Sequence, residues 1–121
     1  MITAMERTTM AARSTTARNL FGDFAPKLVE LTDGVLFDDV WERPGLSARD
    51  RSLITITALA ALYRTGQIEF HLRKGLENGL SKDELVEAIT HLAFYAGWPN
   101  AMTAMSMLKT IVEEAGPAQS G

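Results

Sequence analysis

The sequence predicts an all-α protein, a compact bundle of about five to six helices assembled as a homo-oligomer. Three observations lead there. Apolar residues recur at three- and four-residue steps through successive segments, as in Leu85, Ala88, Ile89, Leu92 and Ala96. Helix boundary signals separate those segments: Ser81-Lys82-Asp83-Glu84 opens one, and Gly97-Trp98-Pro99 breaks the chain before the next. No stretch reads convincingly as a strand.

In chain order, a short helix is expected over Thr16 to Gly22. Pro26, whose fixed φ suits a first helical turn, opens a helix through Leu28, Leu31, Val35, Leu36 and Val40 to Trp41. Arg43-Pro44-Gly45-Leu46 reads as a turn. Ser47 then caps a helix from Ala48 to Arg64, with Asp50 three residues on in a capping-box-like arrangement. Its Leu53, Ile54, Ile56, Leu59, Ala60, Leu62 and Tyr63 leave almost no polar side. A helix apolar all round is either central to its fold or covered by another subunit. A chain of 121 residues does not easily surround one, so oligomerisation is expected.

The next helix, Gly66 to Asn78, carries His71, and Gly79 suits its left-handed C-terminal cap. The capping box at Ser81 opens a helix in which His91 stands outside the core stripe, at the four-residue step between Glu87 and Tyr95. Phe94 and Tyr95 give that helix a second apolar side, again pointing to a subunit contact. The last helix buries Ala101, Ala104, Met105, Leu108, Ile111 and Val112 and ends near Ala115. The expected organisation is a flexible extension over residues 1–15, one helical domain over 16–115 and a disordered tail over 116–121.

Composition narrows the function. A net charge of -3 argues against a nucleic-acid surface, so an anionic substrate must meet locally placed arginines. The chain has no cysteine, which excludes disulfides, thiolate metal sites and redox-thiol mechanisms. No apolar run is long enough to span a bilayer, and the start has no secretory apolar core. That start, rich in Thr, Ala and Arg with Glu6 as its only acid, faintly resembles an organellar transit peptide. The expectation is a cytoplasmic protein that contacts neither membrane nor nucleic acid.

The most informative residue is His71. With Ile68, Leu72 and Leu76 forming an apolar stripe, His71 and Gly75 fall beside it, toward the expected buried side. A histidine so placed is either a core residue bonded to a carbonyl or a catalytic group, and Gly75 beside it would leave space. His71 and His91 do not have the spacing of a metal-binding helix, so no metal is expected. No glycine-rich phosphate loop and no nucleophile elbow is present. What remains is an acid–base site of His71, arginine side chains and aromatic walls. Arg51, Arg43 and Trp41 each also have plain roles, as first-turn charge, loop charge and packing anchor.

Five segments, in order, carry a family likeness: Trp41-Glu42-Arg43-Pro44-Gly45-Leu46, Arg51-Ser52-Leu53-Ile54-Thr55, Phe70-His71-Leu72-Arg73, Glu77-Asn78-Gly79-Leu80 and Tyr95-Ala96-Gly97-Trp98-Pro99-Asn100-Ala101. Together they resemble the carboxymuconolactone decarboxylase family, all-helical proteins that generally form trimers or hexamers. The likeness runs from about Phe24 to Glu114. A peroxidase-like branch of that family uses a CxxC pair followed by a histidine. If that histidine is His71, the cysteine positions hold Arg64 and Gln67 here, and Ser52 stands where that branch tends to have glutamate. The chain therefore resembles the branch without cysteines.

The resemblance implies cofactor-free decarboxylation of 4-carboxymuconolactone, or a related small lactone or carboxylic acid, in aromatic-compound catabolism through protocatechuate. It implies His71 in proton transfer and Arg51 and Arg43 on the carboxylate and developing oxyanion. Ser52 would join them in substrate binding, Trp41 and Trp98 would wall the pocket, and His91 and Tyr95 are further candidates. The partner would be a small anionic organic substrate. The alternatives are a biosynthetic tailoring enzyme on another small substrate, or a non-catalytic oligomeric ligand-binding module of the same fold.

Overall fold

The computed structural model describes residues 13–116, and among them every regular element is a helix. Contacts gather these residues into two compact units that adjoin in sequence between Leu46 and Ser47. Most of the expected flexible extension and disordered tail lies outside the described residues.

In the first unit, α1 covers Thr16–Phe21 and ends at Gly22, whose φ of 53° lies in the left-handed region. Helix α2, Pro26–Val29, starts with the expected proline and passes directly into a π-helical stretch, Glu30–Phe37. A 3₁₀ turn follows at Val40–Glu42. The single α-helix expected from Pro26 to Trp41 is therefore replaced by three geometries. Asp38 N donates to the Asp33 carbonyl five residues back, at 3.0 Å, where an α-helix would bond four back. Apolar spacing does not register one extra residue per turn, which is why the sequence reads as ordinary helix.

Asp33 is buried at the centre of this stretch. Its carboxylate accepts from Ala17 N at 2.9 Å, Arg18 N at 3.0 Å and the Ser14 hydroxyl at 3.0 Å. It thereby satisfies amides at the start of α1 that the helix itself leaves without partners. Burial alone would raise its pKa. The amides of Ala17 and Arg18, the Ser14 hydroxyl and the Arg18 charge outweigh that and hold it below the usual aspartate value.

The second unit holds four helices: α3, Ala48–Ala61; α4, Thr65–Glu77; α5, Lys82–Ala96; and α6, Trp98–Ala115. The Ser47 hydroxyl caps α3 by accepting from Asp50 N, as expected. Helix α3 stops three residues before Arg64. Arg64 N bonds back to the Leu59 carbonyl and Tyr63 N to that of Ala60, with Tyr63 at φ 58°. This is a Schellman closure with an aromatic residue in the place usually taken by glycine. Helix α4 closes the same way, Leu80 N to Gly75 O and Gly79 N to Leu76 O, with Gly79 at φ 109°. The capping box of α5 forms in both directions between Ser81 and Glu84. Gly97, at φ 101°, and Pro99 turn the chain into α6.

Helix α3 packs against α4, α5 and α6, so it is central to its unit. It buries Ser52, Ile56 and Ala60 into a core shared with Ile68, Leu72, Leu85, Ile89 and Leu108. Ile54, on its other side, is 55% exposed. Gly75 does not open a space beside His71. A Cβ there would meet Ile56 Cδ1 at 2.9 Å, Leu80 Cδ1 at 3.0 Å and Ser52 Cβ at 3.6 Å. Glycine at this position lets α3 and α4 close upon each other.

Candidate functional site

His71 is half-buried on α4, with its Nδ1 enclosed, and the ring of Phe70 meets it edge-on at 4.9 Å between centroids. It lies at the margin of the core rather than within it, because the stripe of Ile68, Leu72 and Gly75 faces inward one residue away. Burial, and then the positive charge of Lys74 one turn on, lower its pKa below the ordinary 6.5. The lowered pKa favours the neutral imidazole at pH 7.

Arg51 is half-buried in the first turn and a half of α3, with its Nε enclosed. Ser52, the next residue, has no exposed surface, and its Oγ accepts from Asn78 Nδ2 at 3.0 Å. Asn78 is the last-turn cap of α4, seven residues beyond His71. The Asn78–Ser52 bond thus joins the two helices that carry His71 and Arg51. Asn78 stands within the Glu77-Asn78-Gly79-Leu80 segment, which by itself assigns it no role. A polar side chain directly before the cap glycine was the available signal.

The remaining candidates are carried by other elements. Trp41 and Arg43 belong to the first unit, where Trp41 is half-buried with its ring 6.2 Å from that of Phe37, and Arg43 is exposed. Trp98 is 56% exposed at the start of α6 and packs edge-on against Phe94 at 5.0 Å. Its neighbour Asn100 donates to the Ala61 carbonyl at the far end of α3. From Arg51 to Ala61 the helical rise is about 15 Å, so within the unit Trp98 and Arg51 lie at opposite ends of α3. His91 is exposed and its ring lies 4.9 Å from that of Tyr95, itself 78% exposed.

His91 also lines an open groove of about 700 Å³ between α3 and α5, floored by Leu53, Ile54, Ala88 and Leu92. Arg49 and Glu84, which form an ion pair, stand along the same groove with Glu87. Among the described residues no group of three or more His, Asp or Glu side chains is arranged to hold a metal ion. No helix among them is long and apolar enough to cross a membrane.

Residues 26–110 match the Carboxymuconolactone decarboxylase family. Over 96 residues the chain is 40% identical to a 4-carboxymuconolactone decarboxylase of Acinetobacter baylyi, a match covering 79% of this chain and 72% of that protein. Over 75 residues it is 32% identical to the nitrosuccinic acid decarboxylase npaB of Metarhizium robertsii, covering 62% of this chain and 52% of that protein. Both relatives are, by name, decarboxylases.

Proposed function

This chain belongs to the carboxymuconolactone decarboxylase family, and from that premise we propose that it is a cofactor-free decarboxylase, a carbon–carbon lyase. Its substrate is 4-carboxymuconolactone or a closely related small lactone or carboxylic acid in aromatic-compound catabolism. The observation that carries the reading is the half-buried His71 on the helix that packs against the helix of Arg51. With no cysteine in the chain, the family's thiol-dependent peroxide chemistry is closed to it.

In such a lactone the departing carboxylate sits on a carbon conjugated, through a double bond, with the ring carbonyl. The carbon–carboxylate bond breaks, carbon dioxide leaves, and the electron pair spreads onto the carbonyl oxygen as a furanolate. Arg51 steadies that developing charge through its planar, permanently charged fork. His71, protonated beside the bound anion, delivers its proton to the carbon next to the carbonyl. The ring double bond then includes the carbon that lost carbon dioxide, and His71 recovers its proton from water. For Arg43 and Trp41, a part in substrate binding is assigned from the family motif alone.

The second relative supports a wider substrate class. Nitrosuccinic acid, like the lactone, can hold the released electron pair on oxygen, here through its nitro group. A small acid with such an electron sink, met in a biosynthetic pathway, is thus the second reading. The protein is also proposed to act as a homo-oligomer, a trimer or hexamer. Phe94 and Tyr95, 73% and 78% exposed in the single chain, support this. The direct test follows carbon dioxide release from freshly generated 4-carboxymuconolactone. Stoichiometric release by the purified protein is expected, and none from folded protein would remove this substrate.

A further inference from the structure

We propose that Asn78 is a positioning residue for Arg51, acting through the buried hydroxyl of Ser52; this rests on reading Arg51 as the group that steadies the developing charge. Ser52 is fully enclosed, so within the chain its hydroxyl meets protein rather than ligand. Its partner is also unusual for this helix. Thr55 and Thr57, on the same helix, return their hydroxyls to the carbonyls of Arg51 and Leu53, at 2.8 and 3.0 Å. The Ser52 Oγ instead accepts from a side chain 26 residues away, on the closing turn of α4.

The placement gives that bond mechanical leverage. Gly75 already sets how closely the helices approach, since no Cβ fits between it and Ile56. Burial of Ile56 and Ala60 already holds the core face of α3, but apolar contacts are not directional. The bond from Asn78 Nδ2 to Ser52 Oγ, 3.0 Å long, adds a directional constraint at the residue adjoining Arg51. Asn78 is itself fixed by the Schellman closure at Gly79 and Leu80. A small rotation of α3 swings the long Arg51 side chain through a larger arc, and misplacement of a charge-stabilising group by about 1 Å costs roughly 100-fold in rate.

The test uses the full-length protein as Ser52→Ala, Asn78→Ala, the double variant and Asn78→Asp, all read at a temperature where each is folded by circular dichroism. Two quantities are followed: decarboxylation kinetics, and hydrogen exchange of the enclosed Arg51 Nε–H in ¹⁵N-labelled protein without substrate. Each alanine variant is expected to lower kcat about ten- to 100-fold with KM changed less than about twofold, and to speed Arg51 Nε–H exchange. The double variant should lose no more than the worse single one, because both delete one bond. Asn78→Asp, whose carboxylate accepts from the Ser52 hydroxyl, should keep Arg51 protected. Unchanged Arg51 exchange in both alanine variants, whatever their melting temperatures, overturns the proposal, as do losses that multiply in the double variant. If the wild type releases no carbon dioxide from the lactone, the functional reading fails, while the substrate-free exchange still decides whether Asn78 positions Arg51.

Discussion

Gly75 and Ile56 stand so close that a Cβ on the glycine would lie 2.9 Å from Ile56 Cδ1. Both residues are buried, Ile56 completely, so the methyl has nowhere to retreat. Gly75→Ala is therefore expected to destabilise. The overpacking cost of about 1–3 kcal/mol exceeds the roughly 1 kcal/mol that alanine gains in a helix. Ile56→Val deletes the opposing methyl. In urea unfolding, the Gly75→Ala/Ile56→Val pair should therefore lose less than the sum of its parts; strict additivity would show that the contact is not the cause.

Asp33 gives the first unit an acid-sensitive joint. Its pKa in the folded protein lies below the 3.8 of the free group, so between those values the unfolded chain binds more protons. The stabilisation is present above about pH 4 and is lost as the pH falls through the folded pKa. Asp33→Asn should cost about 1–3 kcal/mol at neutral pH, since amides of α1 lose a charged acceptor. Its stability should then change less than the wild type's below pH 4, measured by hydrogen exchange at Ala17 and Arg18.

His71 shifts in the same direction, with the same sign of pH dependence and a further consequence for kinetics. Its folded pKa lies below 6.5, so the unfolded chain binds more protons just below that pH, and stability rises with pH through this window. If the protonated imidazole is the acid, kcat/KM should rise as the pH falls and level off below the lowered pKa of the free enzyme. The kcat profile should lie at higher pH, because bound substrate brings negative charge. Lys74→Gln removes a positive neighbour and should move the kcat/KM profile upward. A downward move would contradict the cause assigned to the shift.

Oligomerisation is tested on α5. Phe94→Glu places a charge on a side chain 73% exposed in the single chain, where a monomer would tolerate it. Light scattering is expected to show a trimer or hexamer for the wild type and smaller species for the variant. A monomeric wild type would end the oligomer reading.

The helix ends were legible because their chemistry is local. Ser81 and Glu84 bond within one turn, and Gly79 closes its own helix, so neighbouring letters suffice. Ala93, buried on α5, escaped the stripe drawn through Ala88 and Leu92 because a small residue gives a weak apolar signal. The π-helical stretch and the burial of Asp33 were not legible, since partners 16 and 19 residues away hold that carboxylate. Tyr63 in the left-handed region was unreadable, because nothing in a tyrosine announces it. At the candidate site, the placement of His71 beside an apolar stripe was readable. Its half-exposure, the filled space at Gly75 and the bond from Asn78 to Ser52 depend on how two helices meet.

His71 is proposed to carry the proton in the decarboxylation. His71→Ala is therefore compared with wild type on freshly generated 4-carboxymuconolactone, following carbon dioxide release under saturating substrate. A loss of roughly 10²–10⁴-fold in kcat, with the variant folded and still binding substrate, is the expected result. Near-normal turnover in His71→Ala would contradict it.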